Sequence, residues 1–239
     1  MGGAFTKGEV RRAGAHLARR MLDVRQGERS ELVDEADTQD ALAREVVDWW
    51  RAQHIQPMLR VAEVVRGAGA TLDVVFRLKQ FRTTIDKLTR EPGKLADMVD
   101  IGGVRAVFDT QEEVDEFAAV VGGRLDVRRV RDWARSPRAS GYRAVHLHVR
   151  HQEHWVEVQL RTFGQDAWAN IVENEGRLSG HAYKAGRGPA EVLEFFSLVA
   201  ALIATLELGE AHPDLAARLA GAHQRARSHL VTPMLKDLL

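Results

Sequence analysis

The stretch Val156-Glu157-Val158-Gln159-Leu160-Arg161-Thr162 alternates polar and aliphatic side chains with the period of two that marks a half-buried strand. Glu157, Gln159 and Arg161 therefore share one face, and Val156, Val158 and Leu160 point into a core. A carboxylate, an amide and a guanidinium in file suit a metal and a phosphate. They equally make a solvated strand face with its own ion pair. Asp100 shifts that balance. It precedes Ile101-Gly102-Gly103 and the apolar run Val104–Phe108, and glycines leave the backbone bare for the close approach of a ligand. If the two strands are neighbours, Asp100 and Glu157 converge on one hard cation. Mg²⁺ takes a pair of carboxylates together with substrate phosphates and water. Taken alone, Asp100 is also an ordinary turn or capping carboxylate.

Basic and aromatic groups surround this pair in the chain. Arg77 and Lys79 close a short apolar run, and Lys87 and Arg90 follow three residues apart on a predicted helix, so that both point the same way. Together they form a clamp for a triphosphate, although each singly is ordinary surface charge. Further on come Arg131-Asp132-Trp133, Pro137-Arg138, Gly141-Tyr142-Arg143 and His146. A tyrosine behind a glycine and between arginines offers a plane for a nucleobase and cations for its phosphates. Tyr142 fits a core aromatic at a strand start equally well. His146 shares its strand face with His148, a pattern more typical of structural histidines than of metal ligands.

These groups need a sheet to position them. β-Branched runs at Leu72–Phe76, Val104–Phe108, Leu125–Val130, Val145–Val149 and Trp155–Leu160 predict five strands. Helical patterns lie between them at about 82–90 and 111–121, the second ended by Gly122-Gly123. Helices are expected again at about 164–177, 190–208 and 213–229. Residues 1–70 read as a helical extension with Thr38 as an N-cap and Pro57 as a kink or split. The fold class is thus α+β: an N-terminal helical extension (1–70), a core (71–185) and C-terminal helices packed on it (186–239).

Composition narrows the function classes. The absence of cysteine excludes disulfides, thiolate metal sites and cysteine nucleophiles, and fits a reducing cytoplasm. The apolar stretch Phe195–Leu206 is too short to cross a bilayer of about 30 Å, so no membrane role is expected. Net charge is zero, yet seven arginines against two aspartates lie between Arg124 and Arg143. That strip suits polyphosphate or an RNA backbone, or a solvated edge.

The order Arg77-x-Lys79, Lys87, Arg90, Asp100-Ile-Gly-Gly-Val-Arg105, Arg131-Asp132-Trp133, Pro137-Arg138-x-x-Gly141-Tyr142-Arg143-x-x-His146 and Glu157-x-Gln159-x-Arg161-Thr162 resembles the RelA/SpoT synthetase domain over about residues 70–170. The resemblance implies a nucleotidyltransferase-like mixed β-sheet flanked by helices. It also implies transfer of pyrophosphate from ATP to a ribose 3′-hydroxyl, as in (p)ppGpp alarmone synthesis and the stringent response. By motif position Asp100 and Glu157 would be catalytic and hold Mg²⁺, and Arg77, Lys79, Lys87, Arg90 and Arg105 would bind ATP. Tyr142 would stack the acceptor base, supported by Arg138, His146, Gln159 and Arg161.

Two departures fall on the acceptor side. Glu173 stands where many members carry a histidine, and Arg138 replaces the usual lysine, keeping charge but changing its geometry. The tail from Gly176 to Phe196 resembles an actinobacterial or phage-borne branch of small, single-domain synthetases, whose related branches include toxins that pyrophosphorylate the 3′ CCA end of tRNA and others that make adenosine alarmones. The resemblance therefore implies a cytoplasmic enzyme acting on GDP, GTP or the tRNA 3′ end. Seventy residues ahead of the core leave no room for a hydrolase domain, so an external restraint such as a protein antitoxin is expected. The alternative is a catalytically inactive module that binds nucleotide or antitoxin.

Overall fold

A computed structural model describes residues 4–35, 37–69, 74–91, 93–209 and 212–237. Three helices open the chain: α1 (Lys7–Gln26), α2 (Thr38–Ala52) and α3 (Ile55–Gly67). The N-cap of α2 is Asp37 rather than Thr38; its carboxylate accepts from the amides of Gln39 and Asp40. The split between α2 and α3 falls at Gln53-His54. Pro57 lies in the first turn of α3, where its missing N–H has no helical partner to lose.

Five strands follow, with α4 and α5 among them: β1 (Val75–Leu78), α4 (Phe81–Leu88), β2 (Gly102–Phe108), α5 (Gln111–Arg124), β3 (Val127–Asp132), β4 (Val145–His151) and β5 (His154–Thr162). Residues 72 and 73 of the first expected strand lie outside the described residues. The sheet order is β1-β2-β5-β4-β3, with β2 and β5 parallel and the other pairs antiparallel. Helices α6 (Phe163–Ser179), α7 (Ala190–Leu208), α8 (Leu215–Ala226) and α9 (Pro233–Lys236) complete the chain. Gly122-Gly123 does not end α5. The helix runs to Arg124, held by buried Val121 and by the Arg124 guanidinium, which donates to the Gly67 carbonyl at 2.9 Å.

The sheet has one apolar and one polar face, as the alternation demands. Val104, Ala106 and Phe108 of β2, Val156, Val158 and Leu160 of β5, and Val145, Leu147 and Val149 of β4 are all buried. They pack on Met58, Val61 and Val65 of α3 and on Val114, Phe117 and Val121 of α5. Gly102 belongs to this side: a Cβ there would sit 3.3 Å from that of Met58, so its bareness lets α3 approach the strand rather than a ligand. A second apolar cluster joins α6, α7 and α8 to Tyr142 and Ala144, and a third joins α1, α2, α4 and the turn at Leu95–Asp97. Among the described residues no helix is long and apolar enough to cross a membrane.

Candidate active site

Register places the polar groups in two rows across the sheet. One row reads Arg77, Gly103, Glu157, His148, Arg129; the next reads Val75, Arg105, Gln159, His146, Arg131. Directly opposed residues project to the same face, so these side chains meet although they come from five separate segments. Gly103 supplies no side chain between Arg77 and Glu157, which leaves that face of the sheet open.

Glu157 is buried, 8% exposed, and ionised. Burial alone would raise its pKa, but hydrogen bonds from His146 and Gln159, with the His148 imidazole close by, hold it well below the usual carboxylate range. Its Oε1 lies 3.0 Å from His146 Nδ1 and 3.6 Å from His148 Nε2, and its Oε2 accepts from Gln159 Nε2 at 2.5 Å. Burial lowers the pKa of His146 against the pull of Glu157, which favours the neutral imidazole. His146 Nε2 is 2.6 Å from the Tyr142 hydroxyl, whose oxygen also accepts from Arg161 at 2.9 Å.

Asp100 stands at the entry of β2. Backbone pairing continues past Leu78, where the amide of Lys79 donates to the Ile101 carbonyl at 2.8 Å, and this sets Lys79 beside it. Lys79 Nζ and Lys87 Nζ donate to the two Asp100 oxygens at 3.0 and 2.9 Å. Burial works to raise the Asp100 pKa, but the two ammonium groups outweigh it and the net direction is down. The charge of Glu157 acts in the opposite sense, a mark of how near the two carboxylates lie. The N-terminal helices contribute here too, since Arg51 of α2 donates two hydrogen bonds, at 3.0 and 2.9 Å, to the carbonyl of Lys79.

Two cavities open on this face. The larger, about 710 Å³, is walled by Lys87, Trp133, Arg138, His146, His148 and Glu157, with Arg129 and Arg131 at the β3 side. The smaller, about 140 Å³, is walled by Arg77, Arg105, Gln159, Arg161, Glu173 and Lys184. The groups expected to bind ATP are therefore divided. Arg77 and Arg105 line the small cavity, Lys79 and Lys87 hold Asp100, and Arg90 stands apart, paired with Asp86 at 2.9 Å. The expected acceptor groups divide as well: Arg138 and His146 line the large cavity, Gln159 and Arg161 the small one.

Tyr142 takes the core position that its place at a strand start also allows. It is 1% exposed and belongs to the core beneath α6 and α7. Gly141, at φ +88°, makes this possible: a Cβ there would lie 2.7 Å from that of Ala200 on α7. Lys184 Nζ sits 4.6 Å over the Tyr142 ring, and the Arg138 and Arg161 guanidinium groups lie 5.6 and 5.4 Å from its centroid. The ring that reaches the large cavity is the half-buried Trp133, with Arg138 4.6 Å over it.

Four more residues belong to the site: Asp166, Glu173, Lys184 and His148. Asp166, in the first turn of α6, accepts from both Arg105 and Arg161 at 2.9 Å and so fixes two cations of the small cavity. Its position five residues beyond Arg161, at a helix start, was the available signal. Glu173 pairs with Lys184 at 2.6 Å. Burial, reinforced by the charge of Arg161, lowers the Lys184 pKa to about 8 even with Glu173 beside it. His148 stands beside Glu157: among the described residues, His146, His148 and Glu157 are the group whose ligand atoms all lie within 4.8 Å of one another. Asp100 is outside that group.

Residues 76–185 match the family model described as a region found in RelA / SpoT proteins. Over that segment the chain is similar to RelA/SpoT proteins. Uncharacterized proteins of Mycobacterium tuberculosis and Mycobacterium bovis are 31% identical to the chain over 178 residues, covering 66% of this chain and 63% of theirs. The GTP pyrophosphokinase YwaC of Bacillus subtilis is 27% identical over 111 residues, 40% of this chain and 53% of that protein. The chain thus spans between about half and two thirds of these relatives' length. Among solved structures, the RelA/SpoT fold is shared with small alarmone synthetase 1 of Bacillus subtilis bound to pppGpp: TM-score 0.58, 20% identity, 68% of this chain and 94% of that one. A GTP pyrophosphokinase family protein of Streptococcus pneumoniae gives TM-score 0.55 at 23% identity, covering 70% and 93%. The α+β architecture with a five-stranded mixed sheet is common to these proteins.

Proposed function

We propose that this RelA/SpoT region transfers the β,γ-pyrophosphate of ATP to a ribose 3′-hydroxyl, with Asp100 and Glu157 as the carboxylates that hold Mg²⁺. The observation that carries the reading is Glu157 itself, a buried ionised carboxylate that opens on a cation-lined cavity and has no Lys or Arg bonded to it. Both carboxylates offer hard oxygen donors, and the long ammonium groups on Asp100 are free to exchange onto phosphate. When bound, the ion neutralises phosphate charge and orients the reacting oxygens.

Arg77, Lys79, Lys87 and Arg105 grip the donor, and Arg131 and Arg138 take the acceptor's phosphates in the large cavity. Glu157 accepts the proton of the attacking 3′-hydroxyl. The new O3′–Pβ bond forms as the bond from Pβ to the α–β bridging oxygen breaks, and AMP leaves with that oxygen. The protein's share is positioning and charge stabilisation. Trp133 is the stacking surface offered in this arrangement, and Tyr142 acts through its hydroxyl on His146 and Arg161.

A guanine nucleotide is the acceptor favoured by similarity to a GTP pyrophosphokinase. The 3′ end of tRNA is a second reading, favoured by the β3 edge strand, where Arg128 and Arg129 are exposed and Arg129 and Arg131 continue into the cavity wall. ATP labelled at the γ-phosphate, incubated in turn with GDP, GTP, no added acceptor and deacylated tRNA, tests both. Label on GDP or GTP supports the first reading, and label on tRNA with steep salt dependence supports the second. No labelled acceptor in any arm would leave only a binding module.

A further inference from the structure

The geometry points to a second metal chemistry at this site: His146, His148 and Glu157 form a pocket for a borderline divalent cation such as Zn²⁺ or Co²⁺, which shares Glu157 with an oxygen-bound Mg²⁺ but differs from it in ligand type. His146 and His148 stand two residues apart on β4, and His148 is the direct cross-strand partner of Glu157 on β5. Glu157 Oε1 is 3.0 Å from one imidazole nitrogen and 3.6 Å from the other, with all ligand atoms within 4.8 Å. A tetrahedral ion with bonds of about 2.0–2.1 Å holds its ligand atoms about 3.4 Å apart. The trio needs little movement to close on one, because all three residues sit on paired strands.

Ligand type separates this site from a magnesium site. Imidazole suits zinc and cobalt, whereas Mg²⁺ keeps to oxygen and water. Two protein nitrogens and one carboxylate oxygen leave a fourth position, and here it faces the large cavity. His146 also has the outer partner that ligating histidines use. With a metal on Nδ1 the ring proton resides on Nε2, where the Tyr142 oxygen, 2.6 Å away and itself held by Arg161, accepts it.

An ion held there occupies Glu157 Oε1, so Zn²⁺ inhibits pyrophosphate transfer; this consequence, though not the binding, rests on the role given to Glu157 above. The test is titration of the metal-free full chain with Co²⁺ in the absence of nucleotide, read by the visible absorption of tetrahedral cobalt. The expected result is one saturable equivalent, displaced by stoichiometric Zn²⁺ and untouched by excess Mg²⁺, and at least tenfold weaker in both His148→Ala and His148→Gln. In the wild type, Zn²⁺ should also protect His148 from carbethoxylation mapped by mass spectrometry, a readout that needs no variant to fold. Absence of the band, wild-type affinity in both variants, or no protection would overturn the site. Loss of transfer in Mg²⁺ with the cobalt band intact would instead sink the catalytic reading alone.

Discussion

Asp40 and Glu157 are both buried carboxylates, and the contrast between them separates scaffold from site. Asp40, 0% exposed, is closed in by Arg20 at 2.9 Å, Arg29 at 2.7 Å, His16 at 2.6 Å and the amide of Asp34. Burial works against its charge, but these partners bring its pKa down to about 2. Both its oxygens are taken by fixed cations, and this welds α1 to α2. Glu157 is surrounded by imidazoles and an amide and opens on a cavity whose arginines and lysines stand off from it. A carboxylate whose neutralising charge is built in holds the fold together. One whose neutralising charge must arrive from outside is ready for a ligand.

That contrast is most strongly tested at Asp40. Replacing it with Ala should lower stability by about 3 kcal/mol, because two partly buried guanidinium groups lose their partner, while turnover per folded molecule changes less than about twofold. The effect should depend on pH. The Asp40 pKa is depressed in the folded state, so its stabilisation is present above its unfolded value, 3.8, and fades as pH falls toward about 2. Denaturant titrations of both proteins across that window should converge at the acid end. A constant difference would mean that Asp40 acts through packing.

Within the site, the next largest effect belongs to the cations of the small cavity. Asp166→Ala leaves Arg105 and the buried Arg161 without their shared acceptor, and kcat/KM should fall by about 30- to 100-fold, an effect of about 2–3 kcal/mol. Asp166→Glu should restore part of it. Smaller still is the choice of aromatic surface. Trp133→Ala should raise the acceptor KM about tenfold, as expected for one stacking contact, whereas Tyr142→Phe should act on kcat through His146 and Arg161. The reverse pattern would move the base onto Tyr142, beneath Lys184. Arg90→Ala should change kcat/KM less than about twofold, because its guanidinium pairs with Asp86 outside both cavities.

Most of the sheet was legible in the sequence because alternation is a local signal. The polar file Glu157, Gln159, Arg161 and the aliphatic file opposite it follow from side-chain period alone. Where the local signal was wrong or left two readings open, a distant residue decided. Arg124 reaching the Gly67 carbonyl carries α5 past two glycines, and Ala200 of α7 draws Gly141 inward and buries Tyr142. The three-residue step from Lys87 to Arg90 was sound for a helix, but α4 ends at Leu88 and Arg90 turns to Asp86. His148 showed in the sequence only as sharing a strand face with His146, which reads as a structural pair. Its nearness to Glu157 is a matter of strand register, which no single segment states.

The role of Glu157 is tested most directly by Glu157→Gln, assayed for transfer of label from γ-labelled ATP to the acceptor, with thermal unfolding measured on the same preparation. Turnover should fall at least 1000-fold, about 4 kcal/mol of barrier, with a melting temperature within a few degrees of wild type, since no fixed cation is left without its partner. Retained turnover, or unfolding as severe as that of Asp40→Ala, would make Glu157 one more scaffold carboxylate and contradict the account.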